Sequence, residues 1–201
     1  MKRWVWYVIA AIVFALAGGG VLYGVLTHKE AGFMEVCWKQ GHAVYSEADC
    51  EATKPLKWSK AQLPLTYYVD FDKDHKVYVE SVTTAADLWN REVGATLFKR
   101  VDEASKAKVL VKWGSVEGNK AGHTSHTGDD SGPKTSEVVL VDASDVRAVH
   151  RFAAHELGHV LGLAHDEHAV MQPTAPGMSP DKMQFILPSD HDKKLLQETY
   201  R

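Results

Sequence analysis

His155-Glu156-Leu157-Gly158-His159-Val160-Leu161-Gly162-Leu163-Ala164-His165 is the stretch on which the reading of this 201-residue chain turns. Residues four apart on a helix share a face, so the imidazoles of His155 and His159 can close on one cation with Glu156 held beside them. His165 lies ten residues beyond His155, which would put it about 15 Å further along the axis of a continuous helix. The helix must therefore end before His165. Gly162 is placed to end it, because glycine takes the left-handed conformation that stops helices and turns the chain back. Three histidines leave a fourth tetrahedral position open, as catalytic zinc sites do, whereas structural sites are closed by four protein ligands. The expected cofactor is one Zn2+ on His155, His159 and His165. Glu156 is expected to act on water at that open position as a proton acceptor.

Working back from the motif, Asp142-Ala-Ser-Asp145 supplies cap residues for the helix that carries it. Val138 to Val141 reads as a short apolar strand. Gly114 to Thr135 is rich in glycine, serine and threonine, which predicts a long loop with a short edge strand inside it. Lys108 to Trp113 alternates Val109, Val111 and Trp113 against Lys108, Leu110 and Lys112, the pattern of a half-buried strand. Leu97 to Val101 and Leu65 to Val69 read as two more strands. Between them, Thr83 and Thr84 are expected to cap a helix over Ala85 to Glu92 that Gly94 closes. The catalytic domain is placed at 63–201 and a polar stalk at 27–62. In the stalk, Cys37 and Cys50, 13 apart in an exported chain, are expected to form a disulfide.

The first residues form a separate object. Met1-Lys2-Arg3 is a basic cap, and Trp4 to Leu26 carries no charge over 23 residues, enough to span a bilayer at about 1.5 Å per residue. The expectation is a single-pass anchor with the basic end in the cytoplasm and the rest of the chain outside. Ala15-Leu16-Ala17 before Gly18 supports an alternative, a signal peptide cleaved to release a secreted protein. With 45% apolar and 24% charged residues the chain can bury a core. A net charge of −3, with no basic run after Arg3, argues against a nucleic-acid partner.

His155 to His165 resembles the extended zinc signature HExxHxxGxxH of the metzincins, and Ala169-Val-Met171-Gln-Pro173 is similar to their Met-turn. Leu65-Thr-Tyr, Ala85 to Asn90 and Leu187-Pro-Ser-Asp-His-Asp192 through Tyr200 resemble the first strand, first helix and closing helix of the matrixin branch. The resemblance covers about 63–201. It implies an α+β, zincin-like catalytic domain: a twisted mixed sheet, an active-site helix, a Met-turn with Met171 beneath the metal and a C-terminal helix, here preceded by the membrane segment. It also implies endopeptidase action on protein or peptide substrates laid along the sheet edge, with Pro173 to Leu187 walling a side-chain pocket. Asp166 stands where matrixins usually carry serine and is expected to fix the turn around the third ligand. His123, His126, Asp129 and Asp130 fall where matrixins carry further zinc and calcium ligands, so a second Zn2+ or Ca2+ is weighed there against an ordinary polar loop. Nothing resembling a cysteine-switch propeptide is present. The rival reading of function is a catalytically silent, membrane-tethered binding module that keeps the fold.

Overall fold

Eight strands and three α-helices make up the computed structural model, which describes residues 37–39, 42–44, 54–71, 76–117, 120–143, 145–165, 169–172 and 187–201. All lie within one unit of the chain, 33–201. The predicted membrane segment 4–26 and the residues Cys50, Asp166 and Pro173 lie outside the described residues. So do the Cys37–Cys50 bridge and the pocket wall over 173–186. Among the described residues no helix is long and apolar enough to cross a membrane.

Three short strands, β1 (Cys37–Lys39), β2 (His42–Val44) and β3 (Lys54–Pro55), pair antiparallel in the order β2-β1-β3. The main sheet contains β4 (Leu65–Asp70), β5 (Phe98–Arg100), β6 (Val109–Trp113), β7 (Gly122–Asp129) and β8 (Gly132–Leu140), in the order β5-β4-β6-β8-β7. The first four are mutually parallel and β7 runs antiparallel at the edge, so the sheet is mixed as expected. Leu65, Tyr67 and Val69 of β4, Val109 and Val111 of β6, and Val138 and Leu140 of β8 are buried. That is the period-two burial that apolar alternation dictates.

The loop expected over Gly114 to Thr135 is instead largely a β-hairpin. Thr127 faces Thr135 and Asp129 faces Gly132, so Asp130 and Ser131 form a two-residue turn, with Gly132 at φ +126°. The inward positions of β7 are Gly122, Thr124 and His126. None is a large apolar residue, so the alternation that reveals β4 and β6 is missing.

Helix α1 (Lys76–Val93) begins nine residues before the predicted Ala85. Thr83 and Thr84 do not cap it: their hydroxyls donate to the carbonyls of Val79 and Glu80 one turn back, at 2.9 and 2.8 Å, inside the helix. Gly94 ends it at φ +71°, its amide returning to Asn90 O. Helix α2 (Val146–Val160) carries the motif and starts at Asp145, whose carboxylate accepts from Arg147 N. Helix α3 (Asp190–Tyr200) starts at Ser189 in a reciprocal capping box with Asp192. Trp89 of α1 donates from Nε1 to Ala154 O at 2.8 Å and so ties α1 to the middle of α2. The core also takes in Leu56 and Trp58, upstream of the expected start at Leu63.

Candidate active site

The end of α2 decides where the third histidine goes. Leu163 N donates to Gly158 O at 3.1 Å and Gly162 N to His159 O at 2.9 Å, with Gly162 at φ +93°. These paired bonds form a Schellman cap. A side chain at Gly162 would also collide with the backbone, since a Cβ there would lie 2.4 Å from Leu56 O. Two distant residues satisfy carbonyls left free at the helix end. Trp58 Nε1 donates to Val160 O at 2.7 Å and Tyr200 Oη to Leu161 O at 3.0 Å.

The chain then brings the three imidazoles together. Their ring centroids are 4.7 Å (His155 to His159), 5.1 Å (His155 to His165) and 4.9 Å (His159 to His165) apart. One ligand atom from each lies within 4.8 Å of the others, and among the described residues no other group of three such side chains is so placed. His155 Nδ1 lies 2.9 Å from Val170 O, and His159 Nδ1 lies 2.7 Å from Leu163 O. A carbonyl only accepts, so each Nδ1 carries the hydrogen and each neutral ring presents a bare Nε2.

Those two Nε2 atoms are 3.1 Å apart, and between two bare lone pairs there is no proton to share. Burial holds the His155 pKa down to about 4 and that of His159 well below its usual range, so protonation does not relieve the contact. His165, more exposed, is shifted the same way by partial burial. A cation relieves it. Two nitrogens bound tetrahedrally to zinc at about 2.05 Å sit about 3.3 Å apart, close to the separation seen. The residues therefore fit Zn2+.

Glu156 is buried beside them, and in the metal-free protein burial pushes its carboxyl up to about 7. Its Oε2 accepts a 2.6 Å hydrogen bond from Thr124 Oγ1 on β7. Met171 is fully buried, and a Cβ on Gly158 would lie 2.3 Å from its sulfur. Gly158 thus leaves the room in which Met171 packs under α2. Val170, one residue before Met171, accepts from His155 Nδ1 and so orients that ring.

The second-ion residues are not gathered. His123 and His126 are three apart on a strand and face opposite ways, His123 exposed and His126 buried. His126 Nδ1 is 2.7 Å from Ser136 Oγ. Asp129 turns its carboxylate to the amide and hydroxyl of Ser131, and Asp130 is exposed at the hairpin turn. Thr124, Gly122, Gly158, Trp58 and Tyr200 were not legible as site residues. A glycine in the middle of a helix, as at Gly158, is the one sequence signal that marks a close approach.

A parallel-dominated sheet closed by an antiparallel edge strand, with three convergent imidazoles and a buried glutamate under that edge, defines a zinc-peptidase type of domain. The matrixin family model matches residues 57–201, and the chain belongs to the matrixin family of zinc metalloendopeptidases. None of the curated proteins matches it. Myroilysin is similar in structure at 21% identity and a TM-score of 0.39, over 55% of this chain and 52% of that one, so the match spans about half of myroilysin's length. High choriolytic enzyme 1, a hatching-enzyme zinc-protease from the medaka fish Oryzias latipes, is similar at 13% identity and a TM-score of 0.42, over 72% of this chain and 94% of that one.

Proposed function

We propose that this chain hydrolyses internal peptide bonds of exported or extracellular proteins, with His155, His159 and His165 as the zinc ligands and Glu156 as the general base. The observation that carries this reading is the facing pair of bare Nε2 atoms with a buried carboxyl at their side. Zinc held there supplies Lewis acidity, which polarises a peptide carbonyl and acidifies water. Glu156 accepts the proton released when water attacks and hands it to the leaving amine. Val170 O and Leu163 O keep the hydrogens of His155 and His159 on Nδ1, so that both rings stay aimed inward. β7 is the outer strand of the main sheet, and an extended substrate peptide would add beside it as a further strand.

The uncharged run Trp4 to Leu26 behind Lys2 and Arg3 supports an extracytoplasmic catalytic domain, tethered or released after cleavage. The test is hydrolysis of an unfolded protein by the zinc-loaded chain, with and without a chelator, beside Glu156→Ala. Chelator-sensitive cleavage that Glu156→Ala abolishes while keeping zinc supports the proposal. Zinc binding without cleavage in the native chain would make it a binding module instead.

A further inference from the structure

Glu156 is located by the edge strand as much as by its own helix. Thr124 Oγ1 lies 2.6 Å from Glu156 Oε2 and 3.1 Å from the Glu156 carbonyl oxygen. A hydroxyl has one hydrogen to give, and the shorter contact takes it. Thr124 is β-branched, so its χ1 is stiff, and its backbone is fixed by pairing with Val138 of β8. The hydroxyl therefore points in a direction set by the sheet.

Two residues back on the same face, Gly122 completes the arrangement. A Cβ there would stand 2.7 Å from Glu156 Oε1 and 2.8 Å from its Cγ, so any larger residue would push the carboxylate away. Thr124 engages one oxygen and Gly122 leaves space for the other. Among the described residues no hydrogen bond reaches Oε1. An oxygen that already accepts a strong hydrogen bond is the weaker base, which leaves Oε1 with the lone pairs free to exchange a proton.

We infer that Thr124 is a positioning residue for the reaction: with Gly122 it forms a cradle on β7 that fixes the Glu156 carboxylate in one rotamer and presents Oε1 as the proton-exchanging oxygen. Because β7 is also the edge on which an extended peptide would add, the base and the peptide share one rigid element. This inference rests on the proposed role of Glu156. It explains why a threonine and a glycine occupy inward positions that would otherwise hold apolar side chains.

The test compares Thr124→Val, which keeps the shape and removes the donor, with Thr124→Ser, which keeps the donor, in the zinc-loaded full chain. Thr124→Val should bind one zinc, hold KM within about twofold and lose about ten- to a hundredfold in kcat. Thr124→Ser should recover kcat to within about threefold of the native value. Crystal structures of the native chain and Thr124→Val add a readout independent of turnover: the Glu156 carboxylate should leave its native rotamer in the variant. Gly122→Ala should displace it too, which keeps the inference testable if Thr124→Val fails to fold. Native kcat in Thr124→Val, equal losses in the Val and Ser variants, or an unmoved carboxylate would overturn the inference. Unchanged activity in Glu156→Gln would sink the general-base reading instead, and the crystal structures would still report whether Thr124 holds the side chain.

Discussion

Glu156 and the two buried histidines respond to acid in opposite directions, which makes the site readable by titration even without metal. In the unfolded chain a histidine titrates near 6.5; in the fold burial holds His155 down to about 4 and His159 well below its usual range. As pH falls from 6.5 toward 4, the unfolded chain takes up protons that the folded one refuses, so zinc-free protein should lose stability over that window. Glu156 works the other way. Its folded pKa of about 7 lies above the unfolded 4.5, so the stability it adds below pH 4.5 is lost as pH rises through 7. Glu156→Gln should therefore raise the Tm of zinc-free protein by about 5 °C above pH 7 and change it little at pH 4.5. Thermal scans across that range check this, and a difference that does not vary with pH would mean that the carboxyl is not buried as described. At this scale the sequence was informative where chemistry is local. His155, Glu156, His159 and His165 lie within eleven residues, and helix period and zinc geometry leave them few arrangements. Thr124 reaches Glu156 across 32 residues, and no period in the sequence links the two.

Helix α2 and its ending are the elements on which the metal site depends. Gly162→Ala would force an alanine to φ +93° and drive a methyl into Leu56 O. We expect it to lower stability by at least 1 kcal/mol and to weaken zinc binding at least tenfold, because the turn that returns His165 would open. Competition with a chromogenic chelator measures the affinity, and unchanged binding would show that His165 does not need this cap. Further back on α2, one turn before His155, Arg151 is 2% exposed, and its guanidinium has no hydrogen-bond partner among the described residues. Burial pulls its pKa down, and its charge helps keep His155 unprotonated. Arg151→Met should raise the urea midpoint, by about 1–3 kcal/mol in unfolding free energy, because an unpaired buried charge is replaced by an apolar chain of similar length. A lower midpoint would mean that the charge is compensated. Of these elements, the motif helix, its Asp145 cap and the Gly94 stop follow from residue types at fixed offsets. The start of α1 does not, because Thr83 and Thr84 look like caps and instead bond backward inside the helix.

At the scale of the molecule, the active site is assembled from segments far apart in sequence. Trp58 near one end of the described domain and Tyr200 at the other both hold the end of α2, and the hairpin strand β7 covers Glu156. Strands β4, β5 and β6 and the end of β8 from Val138 were legible because their buried residues are apolar. The hairpin was not, since β7 turns Gly122, Thr124 and His126 toward the site, and residues chosen for contact with a carboxylate and a metal-binding helix erase the hydrophobic signal of a strand. Leu56 and Trp58 were assigned to a stalk for a similar reason: isolated apolar residues in a polar stretch show no period, although both belong to the core. Zinc should bind the folded arrangement and raise Tm with concentration, since the unfolded chain does not preassemble three imidazoles. X-ray absorption at the zinc edge of the stoichiometrically loaded full chain tests the central claim most directly. The arrangement described predicts three imidazole nitrogens and one further light atom at about 2.0–2.1 Å, with one imidazole lost in His165→Ala. A sulfur shell near about 2.3 Å, or a spectrum unchanged by His165→Ala, would contradict it.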